Sequence, residues 1–123
     1  MQPLNVVVAS RDSQAASHLA ASLNAHFRTV SVARSLDEIR HAIPKHRAQL
    51  AIVDLELASV EDVERLIREF GHTTILCTHR IPDEEMWASA LAAGAIDCCP
   101  NDDAACIVRA VARNVKLARS NAA

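Results

Sequence analysis

The sequence predicts a single parallel α/β domain in which five β-strands alternate with five α-helices. Three observations predict it: short apolar runs rich in β-branched residues, segments between them with apolar residues at helical spacing, and short connections. Strands that are apolar along their whole length are typical of a parallel sheet covered by helices on both faces. A chain of 123 residues is long enough to bury one such core.

The first unit begins with an apolar, β-branched strand at residues 5–9. Apolar residues at helical spacing then predict a helix over residues 13–27, with Asp12 or Ser13 as its N-cap. Residues 29–33 alternate in the manner of a short strand. The strand and helix pattern therefore starts to repeat early in the chain.

The second helix and the third unit follow directly. Ser35 and Glu38 have the spacing of a capping box, and Pro44 is expected to end the helix that they begin. Residues 49–55 form a third apolar strand. The spacing of apolar residues over 60–70 predicts the third helix, which ends before a glycine.

The last two units complete the pattern. Residues 74–78 predict the fourth strand, and a proline followed by acidic residues opens a helix over 82–94. Residues 95–99 supply a short fifth strand. An amphipathic final helix follows, with Asn101 or Asp102 as its cap.

Function in parallel sheets gathers at the carboxyl ends of the strands, because the connecting loops meet there. The residues that the predicted strands bring to that edge are Ala9 to Asp12, Asp54, Thr78, His79 and Cys99 to Asn101. This edge is therefore where we expect the functional site.

Composition excludes several classes of function. The net charge is -2 without a long run of either sign, and aromatic residues make up only 2% of the chain, so this domain is not expected to bind nucleic acid. No apolar run is long enough to cross a bilayer, and the N-terminus lacks the plan of a signal peptide. We expect a soluble, cytoplasmic protein without a membrane segment.

The four cysteines carry a second interpretation. They include no C-x-x-C pair, and thiols stay reduced in the cytoplasm, so structural disulfides are not expected. Cys77, Cys98 and Cys99, with His79 nearby, suggest a metal or redox site as an alternative. Neighbouring residues of a strand point to opposite faces, however, which keeps Cys98 and Cys99 from reaching one tetrahedral ion.

Three segments resemble the receiver domains of bacterial two-component response regulators. Residues 49–55 look like the third strand of the family, ending in an acid, and residues 74–78 look like its fourth strand, ending in a hydroxyl. Residues 90–95 are similar to the Ala-x-x-x-Gly-Ala turn before the fifth strand. The resemblance implies a flavodoxin-like receiver fold with strand order 2-1-3-4-5, covering residues 1–119. Residues 120–123 would be a tail or the start of a linker to an output domain.

The resemblance also implies roles for individual residues. Asp54 takes the position of the aspartate that accepts a phosphoryl group from a histidine kinase, and Thr78 that of the switch hydroxyl. The family holds Mg²⁺ with this aspartate and two acids after the first strand, but here that loop offers at most Asp12. Asn101 stands where the family has a lysine, and Cys98 where it has an aromatic switch residue.

We expect another cation to compensate for the missing metal ligands. Asp54, Glu56 and Asp12 would repel one another, and Arg11 in the first loop could bridge carboxylates in place of Mg²⁺. We expect no bound cofactor, and the candidate ligands of a Mg²⁺ ion are Asp12, Asp54 and Glu56. Each of these residues also has a simpler interpretation, as a helix cap, a strand end or a solvated charge, as do Thr78 and Asn101.

The function that we expect is that of an atypical receiver domain, a signalling module rather than an enzyme. It would regulate an output domain, in the same chain or another, through protein contacts, with weak or no Mg²⁺-dependent phosphorylation. Alternatives are a conventional receiver switched by a histidine kinase and, from a different class, a small flavin-binding or hydrolytic enzyme. A homodimer is expected through the fourth helix, fifth strand and fifth helix. The last helix carries an apolar stripe beside cations: Val108, Val111 and Val115, with Arg109, Arg113, Lys116 and Arg119.

Overall fold

The computed structural model describes the backbone of residues 2–122 and the side chains of residues 3–114. Five strands alternate with five helices. The strands are β1 (Gln2–Ala9), β2 (Phe27–Ala33), β3 (Leu50–Asp54), β4 (Thr74–His79) and β5 (Cys98–Pro100). The helices are α1 (Ser13–Leu23), α2 (Leu36–His46), α3 (Val60–Glu69), α4 (Glu84–Ala93) and α5 (Ala104–Ala122). Within the described residues, no helix is long and apolar enough to cross a membrane.

The strands form one parallel sheet in the order β2-β1-β3-β4-β5. This order confirms the predicted fold. All five residues of β3 are buried, as expected for a central strand covered on both faces. The carboxyl ends of β1, β3, β4 and β5 therefore lie along the same edge of the sheet.

Two apolar layers cover the faces of the sheet. Helices α2, α3 and α4 pack on one face, against a cluster that includes Val7, Val53 and Cys77. Helices α1 and α5 pack on the other, against a cluster that includes Val8 and Cys99. The alternation of neighbouring strand residues between the two clusters follows from the pleat of a β-strand. Fully burying side chains of this size contributes about 1.5–3 kcal/mol each, which is how the sheet is held between its helices.

The first helix is shorter than predicted. It ends at Leu23, and Phe27 is the first residue of β2 rather than the last turn of α1. Phe27 lies 1% exposed in the same cluster as Leu23. Its spacing fits a helix only because both residues pack against the same layer, so periodicity alone gave the wrong boundary.

Helix α2 continues past Pro44, which was expected to end it. It runs to His46 and closes at Arg47 in the left-handed conformation, with φ 51°. Pro44 lies in the last turns, where a missing N–H removes only one helical hydrogen bond. The Ser35 hydroxyl accepts from the Glu38 amide, but within the described part of the chain the return bond of a capping box is absent here.

The complete capping box is at the start of α3. There Ser59 Oγ accepts from the Asp62 amide at 3.1 Å, and Asp62 Oδ2 accepts from the Ser59 amide at 3.1 Å. The sequence carries the signal for this capping box, because Ser59 and Asp62 have the required three-residue spacing.

The end of the chain differs from the prediction in its boundaries. Strand β5 is Cys98–Pro100 rather than 95–99, and α5 begins at Ala104. The cap of α5 is Asp103, whose Oδ1 accepts from the Cys106 amide at 3.0 Å. Asn101 does not cap the helix because its side chain turns toward the edge of the sheet.

A disulfide between Cys99 and Cys106 corrects the expectation that no structural disulfide would form. Their Cα atoms are 6.1 Å apart, within the roughly 4.4–6.8 Å that a disulfide spans. The pair joins β5 to the first turn of α5. Cys77 and Cys98 are free and buried, on the opposite face of the sheet.

Candidate functional site

A pocket of about 180 Å³ opens at the carboxyl edge of the sheet, where the loops after β1, β3, β4 and β5 meet. Asp54 lies in its floor, and Arg11, Glu56, Arg80 and Asn101 contribute to its walls. The fold therefore brings together most of the site residues that the sequence predicted.

Asp54 is the last residue of β3 and is 3% exposed. Its carboxylate accepts three hydrogen bonds. The Glu56 amide donates to Oδ1 at 2.9 Å, and the Thr78 hydroxyl donates to Oδ2 at 3.0 Å. The third donor is Asn101 Nδ2, at 3.3 Å from Oδ2. A buried carboxylate needs such partners, because an unpaired one would cost several kcal/mol in lost hydration.

Thr78 reaches Asp54 because their strands are neighbours in register. Asp54 on β3 pairs with Thr78 on β4, so both side chains point to the same face of the sheet. Thr78 is 2% exposed, and its hydroxyl finds its partner in the Asp54 carboxylate. The hydroxyl predicted at this position is therefore in direct contact with the predicted phosphoacceptor position.

Asn101 is held from both its backbone and its side chain. Its amide donates to the His79 carbonyl at 3.0 Å, which extends the pairing of β4 and β5 by one residue. Its side chain then donates to Asp54. The Asn101 side chain is a neutral amide, so it donates a hydrogen bond to the carboxylate but brings no positive charge to it.

Asp12 serves as the N-cap of α1. Its Oδ1 accepts from the amides of Gln14 at 3.0 Å and Ala15 at 3.1 Å. Ser10 Oγ in turn accepts from the Asp12 amide at 3.3 Å, which orders the loop after β1. The acid of this loop is thus engaged in helix capping at the rim of the pocket.

Arg80 is the cation that sequence reasoning missed. Its Nη2 lies 3.3 Å from Oε1 and 3.4 Å from Oε2 of Glu56, and His79 Nε2 lies 3.8 Å from Glu56 Oε1. Arg11 lines the pocket but makes no ion pair among the described residues. The sequence held a signal for Arg80, since it directly follows the predicted fourth strand, which neighbours the strand that ends in Asp54.

The geometry fits a divalent cation poorly. In the described part of the chain no three His, Cys, Asp or Glu side chains are grouped to hold a metal ion. Asp12 caps α1, Glu56 pairs with Arg80, and Asp54 accepts three hydrogen bonds. The three acids predicted as Mg²⁺ ligands are each engaged with a protein partner.

Cys98 and Cys77 are register partners on β5 and β4, and both are buried. Burial raises the pKa of the Cys98 thiol to about 11, with smaller contributions from Asp97 and Asp54. Burial likewise raises the pKa of Cys77 to about 12, helped by Cys98 and Asp54. Both thiols are therefore protonated at neutral pH.

The face formed by α4, β5 and α5 is organised by Asp97. Its Oδ1 accepts from Trp87 Nε1 at 3.0 Å, and its Oδ2 accepts from Arg113 Nη2 at 3.4 Å. Trp87 remains 46% exposed. The apolar stripe predicted on α5 faces inward instead, because Val111 is 1% exposed and Val108 packs on the core. Val115, Lys116 and Arg119 lie outside the described side chains.

Comparisons with known proteins address the fold. No protein-family model matches the sequence, and no curated protein is a detectable relative. A response regulator from Burkholderia pseudomallei, solved with a phosphorylated aspartic acid, a calcium ion and citrate, is 19% identical, with a TM-score of 0.78. The match covers 98% of this chain and 73% of that one.

Two further solved structures agree. The signal receiver domain of the response regulator NarL from Mycobacterium tuberculosis is 20% identical over 94% of this chain and 98% of its own, with a TM-score of 0.76. A response regulator from Thermotoga maritima is 18% identical over 91% and 99%, with a TM-score of 0.77. Similarity at this level of identity establishes the fold, which is that of response-regulator receiver domains.

Proposed function

We propose that the chain is an atypical receiver domain of a cytoplasmic two-component system, which regulates an output through protein contacts and depends little on phosphorylation. The observation that carries this proposal is the hydrogen bonding of Asp54. Its buried carboxylate already accepts from Thr78, Asn101 and the Glu56 amide, while the nearest acid of the first loop caps a helix.

The charge of the pocket supports a weak phosphoacceptor. Phosphoryl transfer to an aspartate concentrates negative charge, which Mg²⁺ and other cations must neutralise. Here Arg80 is 73% exposed and engaged with Glu56, and Asn101 carries no charge. Arg11 is then the remaining cation among the lining residues, and one arginine supplies less positive charge than Mg²⁺ and a lysine together.

Partner contacts supply the signalling role in this proposal. Asp97, just before β5, links Trp87 of α4 to Arg113 of α5, and Trp87 is 46% exposed. Aromatic and arginine side chains are the residues that most often anchor protein interfaces. We propose this surface as the homodimer interface. The output domain, in the same chain or a separate one, is the other partner of the module.

A small phosphodonor tests the proposal directly. Wild-type protein is incubated with acetyl phosphate and Mg²⁺, and its intact mass is compared with that of Asp54→Asn treated in parallel. We expect little or no mass gain in either protein. A stoichiometric gain in the wild type that is absent from Asp54→Asn would replace the proposal with a conventional receiver.

The conventional receiver, switched by a histidine kinase at Asp54, is the second candidate. The Thr78 hydroxyl favours it, because it lies 3.0 Å from the carboxylate that would be modified. The Burkholderia pseudomallei regulator of the same fold carries a phosphorylated aspartic acid with a calcium ion. The mass measurement separates the two candidates, and a kinase partner is required only by the second.

A further inference from the structure

Cys99 and Cys106 enclose the loop that carries Asn101. Cys99 is in β5, and Cys106 is in the first turn of α5, seven residues later. The bond between them closes a small ring around the connection from strand to helix. Asn101 lies within that ring.

The enclosed loop holds the Asp54 carboxylate. Asn101 donates through its side chain to Asp54 and through its amide to the His79 carbonyl. The Asp103 amide donates to the Pro100 carbonyl at 3.2 Å and so forms the turn that leads into α5. The covalent link therefore spans the stretch of backbone that carries Asn101.

The two sulfurs differ in access to solvent. Cys99 is fully buried in the cluster beneath α1 and α5, whereas Cys106 is half-buried at the start of α5. A reagent in solution would reach Cys106 first. The remaining thiols, Cys77 and Cys98, are buried on the opposite face, and burial raises their pKa to about 12 and about 11.

We propose that Cys99 and Cys106 form a reversible disulfide that responds to small-molecule disulfides and sets how firmly Asn101 is held against Asp54. The proposal rests on the proposed function in one respect, which is the cytoplasmic setting. In a reducing compartment, a disulfide of this kind forms and breaks as conditions change. It assigns a redox-modification site beside the pocket.

The reaction is thiol–disulfide exchange with a small disulfide as the oxidant. The Cys106 thiolate attacks one sulfur of that disulfide, forms a mixed disulfide and releases one small thiolate. The Cys99 thiol attacks Cys106 Sγ as its proton passes to the departing small thiolate, which forms the Cys99–Cys106 bond and releases the second small thiol. The first small thiolate takes up the proton that Cys106 lost, so two protein thiols are oxidised and one small disulfide is reduced to two thiols.

The first experiment measures whether the bond is reversible. The protein is equilibrated in buffers with different ratios of reduced to oxidised glutathione, free thiols are alkylated, and the modified peptides are identified by mass. We expect Cys99 and Cys106 to lose alkylation together as the buffer becomes more oxidising, while Cys77 and Cys98 do not change. Failure to oxidise in excess glutathione disulfide, or persistence of the bond in excess reduced glutathione, would overturn the proposal.

The second experiment measures the effect on Asn101. Hydrogen exchange of the Asn101 amide is compared between oxidised and reduced protein, with Cys106→Ser as a permanently open ring and Cys77→Ser as the matched control. We expect exchange about tenfold faster in reduced protein and in Cys106→Ser, since the loop opens more often once the ring is broken. Cys77→Ser should retain the difference between the two redox states.

Equal protection of Asn101 in all these proteins would also overturn the proposal, because the bond would then not act on the loop. None of these measurements needs a kinase, Mg²⁺ or an output domain. Efficient phosphorylation of Asp54 would overturn the proposed function, but it would not alter the expected results of the two redox experiments. Their failure would leave the proposed function standing.

Discussion

The Thr78 hydroxyl donates a 3.0 Å hydrogen bond to Oδ2 of Asp54, and both residues are almost completely buried. The bond joins the carboxyl ends of β3 and β4 at the floor of the pocket. A hydroxyl facing a buried carboxylate makes a charge-assisted bond, which is stronger than one between neutral groups. It is therefore a structural link between the two central strands at this edge of the sheet.

Removing this hydroxyl tests the strength of the link. We expect Thr78→Val to lower the free energy of unfolding by about 1.5–3 kcal/mol. Valine has nearly the volume of threonine, so the main change is that the buried Asp54 carboxylate loses a hydrogen-bond donor. The matched control is Thr73→Val, whose hydroxyl donates to the neutral Ala48 carbonyl. It should cost only about 0.5–1.5 kcal/mol. Urea unfolding measures both, and equal losses would contradict a charge-assisted bond.

Gly94 provides a backbone test of the turn before β5. It ends α4 with φ 111°, and an added Cβ would meet Ile67 Cδ1 at 3.0 Å. We expect Gly94→Ala to destabilise the protein by about 1–2 kcal/mol, from the left-handed backbone and the close contact together. Gly71→Ala is the control, since its added Cβ has nothing within 4 Å. Thermal unfolding of Gly71→Ala should differ little from that of the wild type.

Much of the fold was predictable because two periodic patterns decide it. The run ending at Asp54 is short and rich in β-branched residues, which favours a strand, and the apolar spacing in α3 favours a helix. The strand order was implied by the resemblance to receiver domains. Boundaries were less predictable. Phe27 fits the spacing of α1 although it belongs to β2, because periodicity reports burial and not the backbone conformation that produces it.

The site was predictable only where strand ends decide it. Asp54, Thr78 and Asn101 were predicted at the edge of the sheet, and the fold brings their side chains together. Arg11 was expected to bridge carboxylates of the pocket, but among the described residues the ion pair at Glu56 is made by Arg80. Which arginine of two neighbouring loops reaches a carboxylate depends on loop conformation, which leaves no pattern in the sequence.

Stability at acidic pH tests the contribution of the Asp62 carboxylate to the cap of α3. The hydrogen bond from the Ser59 amide is the main cause that lowers its pKa below the ordinary value of 3.8, with help from the Ser59 hydroxyl, Arg65 and Arg40, while burial opposes it. Since the folded-state pKa is the lower one, the stabilisation is complete above pH 3.8. It is lost as the pH falls through the folded-state value.

We therefore expect Asp62→Asn to be less stable than the wild type at neutral pH, by about 0.5–2 kcal/mol for an altered cap interaction. The difference should shrink as the pH falls below 3.8. Urea unfolding across this range measures it, with Glu61→Gln as the control for an exposed acid of the same helical turn. A difference independent of pH would show that the charge of Asp62 contributes nothing.

Arg80 tests the balance between a built-in cation and a metal ion. We expect Arg80→Ala to bind Mg²⁺ several-fold more tightly than the wild type, since removing a positive charge beside Glu56 weakens repulsion of the ion. Its stability should fall by less than about 1 kcal/mol, because the side chain is 73% exposed. The rise in melting temperature with added Mg²⁺ measures binding. Arg68→Ala, which removes an equally exposed partner of Glu64, should respond as the wild type does.

The departures from the receiver pattern can be reversed in the protein itself. Arg11→Asp places a second acid beside Asp12, and Asn101→Lys brings an ammonium group to the side of Asp54 that the amide now contacts. If missing charges limit the chemistry, we expect the double variant to gain a phosphoryl group from acetyl phosphate and Mg²⁺ at least several-fold faster than the wild type, because acid oxygens bind the ion and lysine neutralises the product. Intact mass over time measures the gain, and adding Asp54→Asn to the double variant should abolish it. A double variant that folds, binds Mg²⁺ and still gains nothing would show that the hydrogen bonding of Asp54, rather than the missing charges, limits phosphorylation.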